Sequence, residues 1–490
     1  MKRLSIIIAM LTITCVYAQT ESLPGPLEQL PSHTRAFLYV RGYKAWPMLK
    51  MFGPLVGLTP EVMKELDDEL LIALLEIGKG DNVTFLLGAK TKEMPGAWNR
   101  ALKAWPFQSQ LNVNFPDNAS GPVTNKRGAR TLGFLSHGRS WVWFSNSEAI
   151  AQRAASGTLQ GNGGIKDAPG FQERYKLINS EAPFIAWADL ETIIRTMISM
   201  NVVSPKAGFI NRLIDALNLE AFTGAAASLD SHGLRAVVGT KNMDRGLPAF
   251  VFSTPGKLNL AVRLPRDGSL AAKSIHSGND LIRLYKTIAA SIDPEILEEY
   301  NTEIREFEAV SDVNLETFLG YFERELILLS TPVKDSALLA GIKDRKALET
   351  SLKLLFERWK KQPEKKTLNK ASLYVKGKTG FLLTESLFAL GSIPLLEKLA
   401  DGSLLEKAAA RPINPELRKP LSLFVSTSIL KMIEASGKSP DLSVLLKMFS
   451  GILSQNILAT AVREERQIII RVQTNLSQIL GADIKESSND

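Results

Sequence analysis

Arg130-Thr131-Leu132-Gly133-Phe134-Leu135-Ser136, then His137-Gly138-Arg139, then Trp141-Val142-Trp143-Phe144: this stretch reads as two short strands joined by a turn. Aromatic and apolar residues suit a pleated, half-buried surface, and a glycine set among polar residues is hairpin chemistry. The same grammar returns later. Ser372 to Lys376 is strand-like, Gly377-Lys378-Thr379-Gly380 is a turn, and Phe381 to Thr384 is strand-like again.

Working outward, further segments answer one another in the same order. Leu30-Pro31 recurs as Leu264-Pro265, a shift of 264 − 30 = 234 positions. Phe85 to Lys90 answers Leu338 to Lys343, Pro183 to Trp187 answers Pro420 to Phe424, and Ala225 to Leu229 answers Ala459 to Arg463. The last of these returns to the shift of the first, 461 − 227 = 234. Order that is kept over such a distance is the mark of an internal repeat. Extra residues fall around Asp293 to Leu319 in the second half and around Gln108 to Arg130 in the first.

Helical patterns lie between the strands. Tyr43 to Leu58 reads as one, Gly96 to Trp105 as another, and Lys346 to Trp359 as a third, with Leu348, Leu352, Leu355 and Trp359 on one apolar stripe. Ser145 and Ser147 suit the start of a helix that Gly157 ends. Mixed helices and frequent hairpins predict an α+β fold: a tandem duplication of two similar halves, each a mainly antiparallel sheet with helices packed on one face. The expected division is a signal peptide over 1–18, a first half over 19–245, a linking segment over 246–263, a second half over 264–480 and a polar tail over 481–490. Phe250-Val251-Phe252 makes the linking segment apolar enough to pack.

The first residues, MKRLSIIIAMLTITCVYAQT, give a positive start, a short apolar core and a small-residue exit. That order predicts export and cleavage near Ala18, so a periplasmic or secreted location. Cys15 is the single cysteine and falls before the cut, so the mature chain is expected to hold no disulfide. Lys+Arg number 59 against Asp+Glu 51, and without Lys2 and Arg3 the excess is 57 − 51 = +6. That is too mild and too spread for a nucleic-acid binder.

Candidate chemistry is sparse. His33, His137, His232 and His276 have no second ligand at metal spacing, and His137 and His232 are expected in hairpin turns. Gly377-Lys378-Thr379 lacks the upstream glycine of a phosphate loop, since Ser372 stands there. No Gly-x-Ser-x-Gly elbow is present. Asp67-Asp68-Glu69 and Glu298-Glu299 are expected on helices, where neighbours point apart and form no carboxylate pair. Trp141 and Trp143 share one strand face and are either sheet core or a sugar-stacking platform. The densest charge lies at Arg358, Lys360, Lys361, Lys365, Lys366 and Lys370, expected at a helix end; it is either a solvated end or a contact for anionic lipid or polymer.

Ser145 to Ile150, Asp167-Ala168-Pro169-Gly170-Phe171, Ala182 to Leu190 and Asp312 to Glu316 together resemble the DUF3352 family of bacterial exported proteins of unknown function. The resemblance implies a fold and a location and carries no catalytic residues. No catalytic, cofactor-binding or metal residue is therefore assigned, no cofactor is expected, and the speculative surface contact is Lys360, Lys361, Lys365 and Lys366. Three readings stay open: a non-enzymatic envelope protein that binds or scaffolds a protein, lipid or glycan partner; a polysaccharide-acting hydrolase with carboxylates from distant segments; and a peripheral binder of anionic membrane or polymer.

Overall fold

A computed structural model describes residues 23–42, 59–77, 83–92, 97–104, 111–113, 121–125, 131–138, 140–161, 163–201, 207–231, 233–252, 255–264, 269–292, 294–331, 335–358, 363–369, 371–404, 419–428 and 456–473. The expected signal peptide, the helix over Tyr43 to Leu58, His232, Lys360, Lys361, Lys370 and the polar tail lie outside the described residues. The fold mixes helix (35%) with strand (42%) around antiparallel pairing, so it is neither all-α nor all-β. Contacts divide the described chain into one unit up to Trp187 and a second from Ala188 onward.

The first unit contains strands β1 (Ala36–Arg41), β2 (Leu66–Ile77), β3 (Val83–Thr91), β4 (Leu111–Val113), β5 (Gly121–Asn125), β6 (Thr131–Gly138), β7 (Trp141–Ser145) and β8 (Phe184–Ala188). They pair in the order β8-β1-β2-β3-β7-β6-β5-β4. Its helices are α1 (Gly25–Glu28), α2 (Pro60–Glu65), α3 (Ala97–Ala104), α4 (Glu148–Ser156) and α5 (Phe171–Tyr175). The hairpin expected at Arg130 to Phe144 is β6–β7. His137 is not in its turn: β6 runs on to Gly138, and the half-buried His137 stands opposite Val142 in the strand pairing.

Phe171 is the hub of this unit's core. Its ring centroid lies 6.1 Å from Phe37, 5.2 Å from Tyr175 and 5.3 Å from Trp187. The chain reaches it through Gly170, whose φ of 68° is a conformation other residues rarely adopt. Asp167 accepts a hydrogen bond from the Gly164 backbone N–H at 3.0 Å, fixing the turn before it. Trp141 and Trp143 stack with centroids 5.2 Å apart and are 8% and 1% exposed, so they are sheet core and no sugar platform. Gly88 makes room for them, since a Cβ there would stand 2.5 Å from the Trp143 ring.

The acidic triplet corrects the sequence expectation. Asp67, Asp68 and Glu69 lie in strand β2, not on a helix. Strand alternation turns Asp67 and Glu69 to one side, where Lys90 of β3 binds both, at 3.1 and 2.5 Å. Tyr39 of β1 donates its hydroxyl to Glu69 at 2.5 Å. Burial first, then this hydrogen bond, drives the Tyr39 pKa far up. The hydrogen bond to Glu69 likewise raises that of Lys90. The charged strand is thus tolerated because a lysine and a buried phenol satisfy it.

The second unit contains β9 (Phe222–Asp230), β10 (Gly233–Thr240), β11 (Ser269–Ile275), β12 (Phe322–Ser330), β13 (Ser336–Ile342), β14 (Glu364–Leu368), β15 (Ala371–Lys376), β16 (Thr379–Leu383), β17 (Leu387–Ser392), β18 (Leu423–Ser428), β19 (Asn456–Arg463) and β20 (Gln467–Gln473). Every neighbour in the order β9-β10-β20-β19-β18-β11-β12-β13-β17-β16-β15-β14 pairs antiparallel. Its helices are α6 (Leu190–Asn201), α7 (Ala207–Ala216), α8 (Gly246–Val251), α9 (Asn279–Ile292), α10 (Pro294–Ser311), α11 (Leu315–Leu319), α12 (Arg345–Arg358) and α13 (Ile393–Ala400).

The helices expected on one face stand on both faces of this sheet. Leu395, Leu396 and Leu399 of α13 pack with Leu339, Leu373, Leu382 and Ala389. Leu348, Leu352 and Phe356 of α12 pack with Ala340, Tyr374 and Phe388. Leu339 and Ala340 are neighbours on β13, so they point to opposite faces. The physical reason is that both faces of β13 and β17 are apolar, and each needs a cover. The segment over 246–263 packs, as its apolar residues predict: Leu258 and Ala261 are buried in the α13 cluster. The buried carboxylate of Glu325 anchors it by accepting the Leu260 and Ala261 N–H groups at 2.9 and 3.2 Å. Burial raises the Glu325 pKa, against the pull of those two bonds.

Leu352 is 1% exposed at the centre of the α12 stripe. Leu352→Ala should destabilise the protein by about 2–5 kcal/mol, read as an earlier denaturant midpoint with an unchanged slope.

Candidate functional site

A cavity of about 590 Å³ lies in the second unit where β11, β19, α8 and α9 end or begin. Three separate segments supply its walls, and each is fixed locally.

The first is the turn after β10. Asn218, buried and left-handed at φ 52°, donates its amide to the carbonyls of Asn242 and Arg245 at 3.0 and 3.1 Å. Gly246 follows at φ 68°, where a Cβ would stand 2.8 Å from Asn218 and 2.9 Å from the Ala216 carbonyl. Pro248 in the first turn of α8 suits a helix start, since no partner exists there for its missing N–H. This turn delivers Arg245 to the cavity rim and Phe250 to its wall.

The second is helix α9. The Ser277 hydroxyl accepts the Asn279 N–H at 3.2 Å, and Gly278 sits where a Cβ would meet the Leu319 carbonyl at 2.5 Å. Asp280, Arg283, Leu284 and Thr287 follow at helical spacing and line the cavity, while Ile282 and Ala289 turn to the core. The third segment is the end of β19, where the Arg463 N–H donates to the Ser422 hydroxyl at 3.2 Å.

Arg245, Arg283, Lys286 and Arg463 make the lining basic against Asp244 and Asp280. Two of the four cations are already paired: Arg245 with Asp215 at 2.9 Å and Lys286 with Glu316 at 2.7 Å. That second pair holds the Glu316 pKa down, through its hydrogen bond first. Among the described residues, no carboxylate makes an ion pair with Arg283 or Arg463. Two guanidinium groups of this lining therefore stand outside any ion pair, although Asp244 and Asp280 share the cavity and the Glu316 carboxylate acts on Arg283 at longer range. His276, after the end of β11, is exposed at the same rim.

Lys273 stands behind the wall. It is 7% exposed, its ammonium lies 4.1 Å from the Phe250 ring centroid, and it donates to the Ser274 carbonyl at 3.1 Å. Burial pushes its pKa down to about 8, although Asp280 pulls it up. The ammonium and the ring make a cation–π contact behind the cavity wall.

The residues singled out from sequence fall elsewhere. Lys365 and Lys366 lie on strand β14 and not at a helix end. Lys365 stands 3.7 Å from Glu349 and 5.4 Å from the Tyr374 ring. His33 is exposed, 3.7 Å from Glu76. Gly377, at φ 67°, turns β15 into β16, a hairpin with no phosphate loop. Glu298 and Glu299 do lie on a helix, α10. Among the described residues no cluster of His, Cys, Asp or Glu has the arrangement of a metal site, and no helix is long and apolar enough to cross a membrane. Sequence reading missed Arg245, Arg283, Arg463 and Lys273, because nothing in their local spacing joins them. No family model, no curated protein and no solved structure matches the chain.

The Lys273 shift has a sign that can be checked. Its folded pKa lies below the unfolded value of 10.5, so between about pH 8 and 10.5 the unfolded chain holds a proton the folded one lacks. The lysine therefore costs stability in full below pH 8, and the cost fades as pH rises to 10.5. Lys273→Met should be more stable than the parent by about 1–3 kcal/mol at pH 7, the lost cation–π contact offsetting part of the gain. Paired denaturant titrations should find that advantage shrinking between pH 8 and 10.5.

Proposed function

We propose that this is an exported cell-envelope protein, built by tandem duplication, that binds an anionic ligand in the cavity of its second unit and does not transform it. The observation that carries the reading is the pair Arg283 and Arg463, two guanidinium groups facing one cavity of about 590 Å³ with no carboxylate paired to either among the described residues. Guanidinium groups are planar donors suited to carboxylate and phosphate, and charge-assisted bonds of that kind are among the stronger ones. Cavities of this size are typical of small-ligand sites.

Export rests on the N-terminal sequence pattern. The resemblance to DUF3352 agrees with it. Duplication is supported by strand order. The series β4-β5-β6-β7-β3-β2-β1-β8 has the same connectivity as β14-β15-β16-β17-β13-β12-β11-β18, and the β9–β10 hairpin matches β19–β20. The β10–β20 register adds weight. A shift of 234 turns Gly233 into Gln467 and Gly239 into Gln473, and the observed partners are Gly233 with Gln473 and Gly239 with Gln467. Each pair maps onto the other, as two copies related by a two-fold axis would require. On this reading each half runs from a first strand (β1 or β11) to a closing hairpin (β9–β10 or β19–β20).

The hydrolase reading has one point in its favour, since Asp244 and Asp280 line the same cavity. Asp280, however, is engaged in accepting the His276 N–H at 3.4 Å at the start of α9. Binding is the better-supported role.

Pyrophosphate serves as a probe. The mature protein should bind it with an affinity that falls as salt rises, and Arg283→Gln or Arg463→Gln should each weaken binding about tenfold or more, from the loss of a charge-assisted bond. Equal binding by parent and variants, or none by the parent, would refute the reading. Release of phosphate from the probe would revive the hydrolase.

A further inference from the structure

Deepening the anion-site reading, on which it rests, we infer that the ligand is an anionic amphiphile: one phosphate or carboxylate group joined to an apolar body. The cavity is divided in kind. Its unpaired cations, Arg283 and Arg463, suffice for one small anionic group, since Arg245 and Lys286 already have carboxylate partners. Met243, Ala249, Phe250 and Leu284 give the lining an apolar part, while Asp244, His276, Asp280 and Thr287 complete its polar part.

A free inorganic anion would leave that wall in contact with water. It would gain nothing from the area on offer, whereas each buried methylene of a ligand is worth about 0.8 kcal/mol. A long polyanion fits poorly for the opposite reason. It needs a track of free cations leading out of the cavity, as nucleic-acid and polyanion sites have. Here three neighbouring cations are held in ion pairs: Lys241 with Glu191 at 2.8 Å, Arg245 with Asp215 and Lys286 with Glu316.

Phe250 gives the apolar wall its definition. Its ring is braced from behind by the buried Lys273 ammonium at 4.1 Å, and its helix is fixed by the Asn218 contacts to the preceding turn. A preorganised aromatic surface binds an apolar group without the cost of ordering a side chain at the moment of binding. The amphiphile would set its anionic head between Arg283 on α9 and Arg463 at the end of β19, and its apolar body along Phe250 and Leu284. An exported protein with such a site would carry single lipid-like or aryl acids, or their phosphate esters.

Calorimetric titration of the mature full chain tests this with three probes: decyl phosphate below its micelle concentration, inorganic phosphate and heparin. Decyl phosphate should bind at least about tenfold more tightly than inorganic phosphate, a difference of about 1.4 kcal/mol. Phe250→Ala should weaken decyl phosphate more than inorganic phosphate, so that the margin between the two closes. Because Phe250→Ala removes a wall residue and could impair folding, Leu284→Asn on the half-exposed face of α9 gives an independent check with the same expectation. Equal affinity for decyl and inorganic phosphate would overturn the amphiphile inference while leaving the anion site standing. Binding of heparin alone would overturn it in favour of a polymer. No binding of any probe would overturn the anion site as well, and decyl phosphate binding that survives Arg283→Gln and Phe250→Ala would move the ligand out of this cavity.

Discussion

Strand β20 sits between β10 and β19, and the second unit depends on that insertion. Seven paired positions, from Gly233–Gln473 to Gly239–Gln467, join segments far apart in sequence. Such pairing is costly to nucleate, because a long loop must close before any bond repays it. Once made, it sets β10 and β19 on either side of one strand. The turn leaving β10 carries Arg245 and Phe250, and the end of β19 carries Arg463. The cavity therefore depends on the β10–β20–β19 pairing: two of its walls are held in register by the same strand.

Helix α9 completes the third wall and shows how local rules serve a distant purpose. Its start is set by the Ser277 hydroxyl and by the absence of a side chain at Gly278. Its apolar stripe fixes the rotation, and the rotation decides that Arg283, Leu284 and Thr287 face the cavity. Behind the wall, Lys273 is a lysine in a place that disfavours its charge, kept there by an aromatic ring and a carbonyl. A protein retains such a group at a cost in stability, and the cost makes sense if the ring it braces has work to do.

The sequence made the hairpins legible. Gly138, Gly377 and Gly380 stand among polar residues between apolar runs, and local turn chemistry suffices to recognise them. The core role of the stacked Trp141 and Trp143 was open on sequence alone, and the strand pairing to Gly88 decided it. The acidic start of β2 was misread as helix, because Asp67 and Glu69 in a strand become acceptable only once Lys90 and Tyr39 arrive from β3 and β1. Helices on both faces were likewise hidden, since Leu339 and Ala340 look alike in sequence and differ only in which cover they meet. The cavity was illegible for the same reason in stronger form. Its arginines come from three segments that share no spacing, and only the β10–β20 pairing and the packing of α8 on α9 bring them together.

The most direct test of the account is to locate a ligand by its scattering. Crystals of the protein soaked with a bromine-tipped alkyl phosphate should give anomalous density along Phe250 and Leu284, with the phosphate between Arg283 and Arg463. Bromine density elsewhere on the protein, with the cavity unoccupied at saturating ligand, would contradict the claim that this cavity is where the protein does its binding.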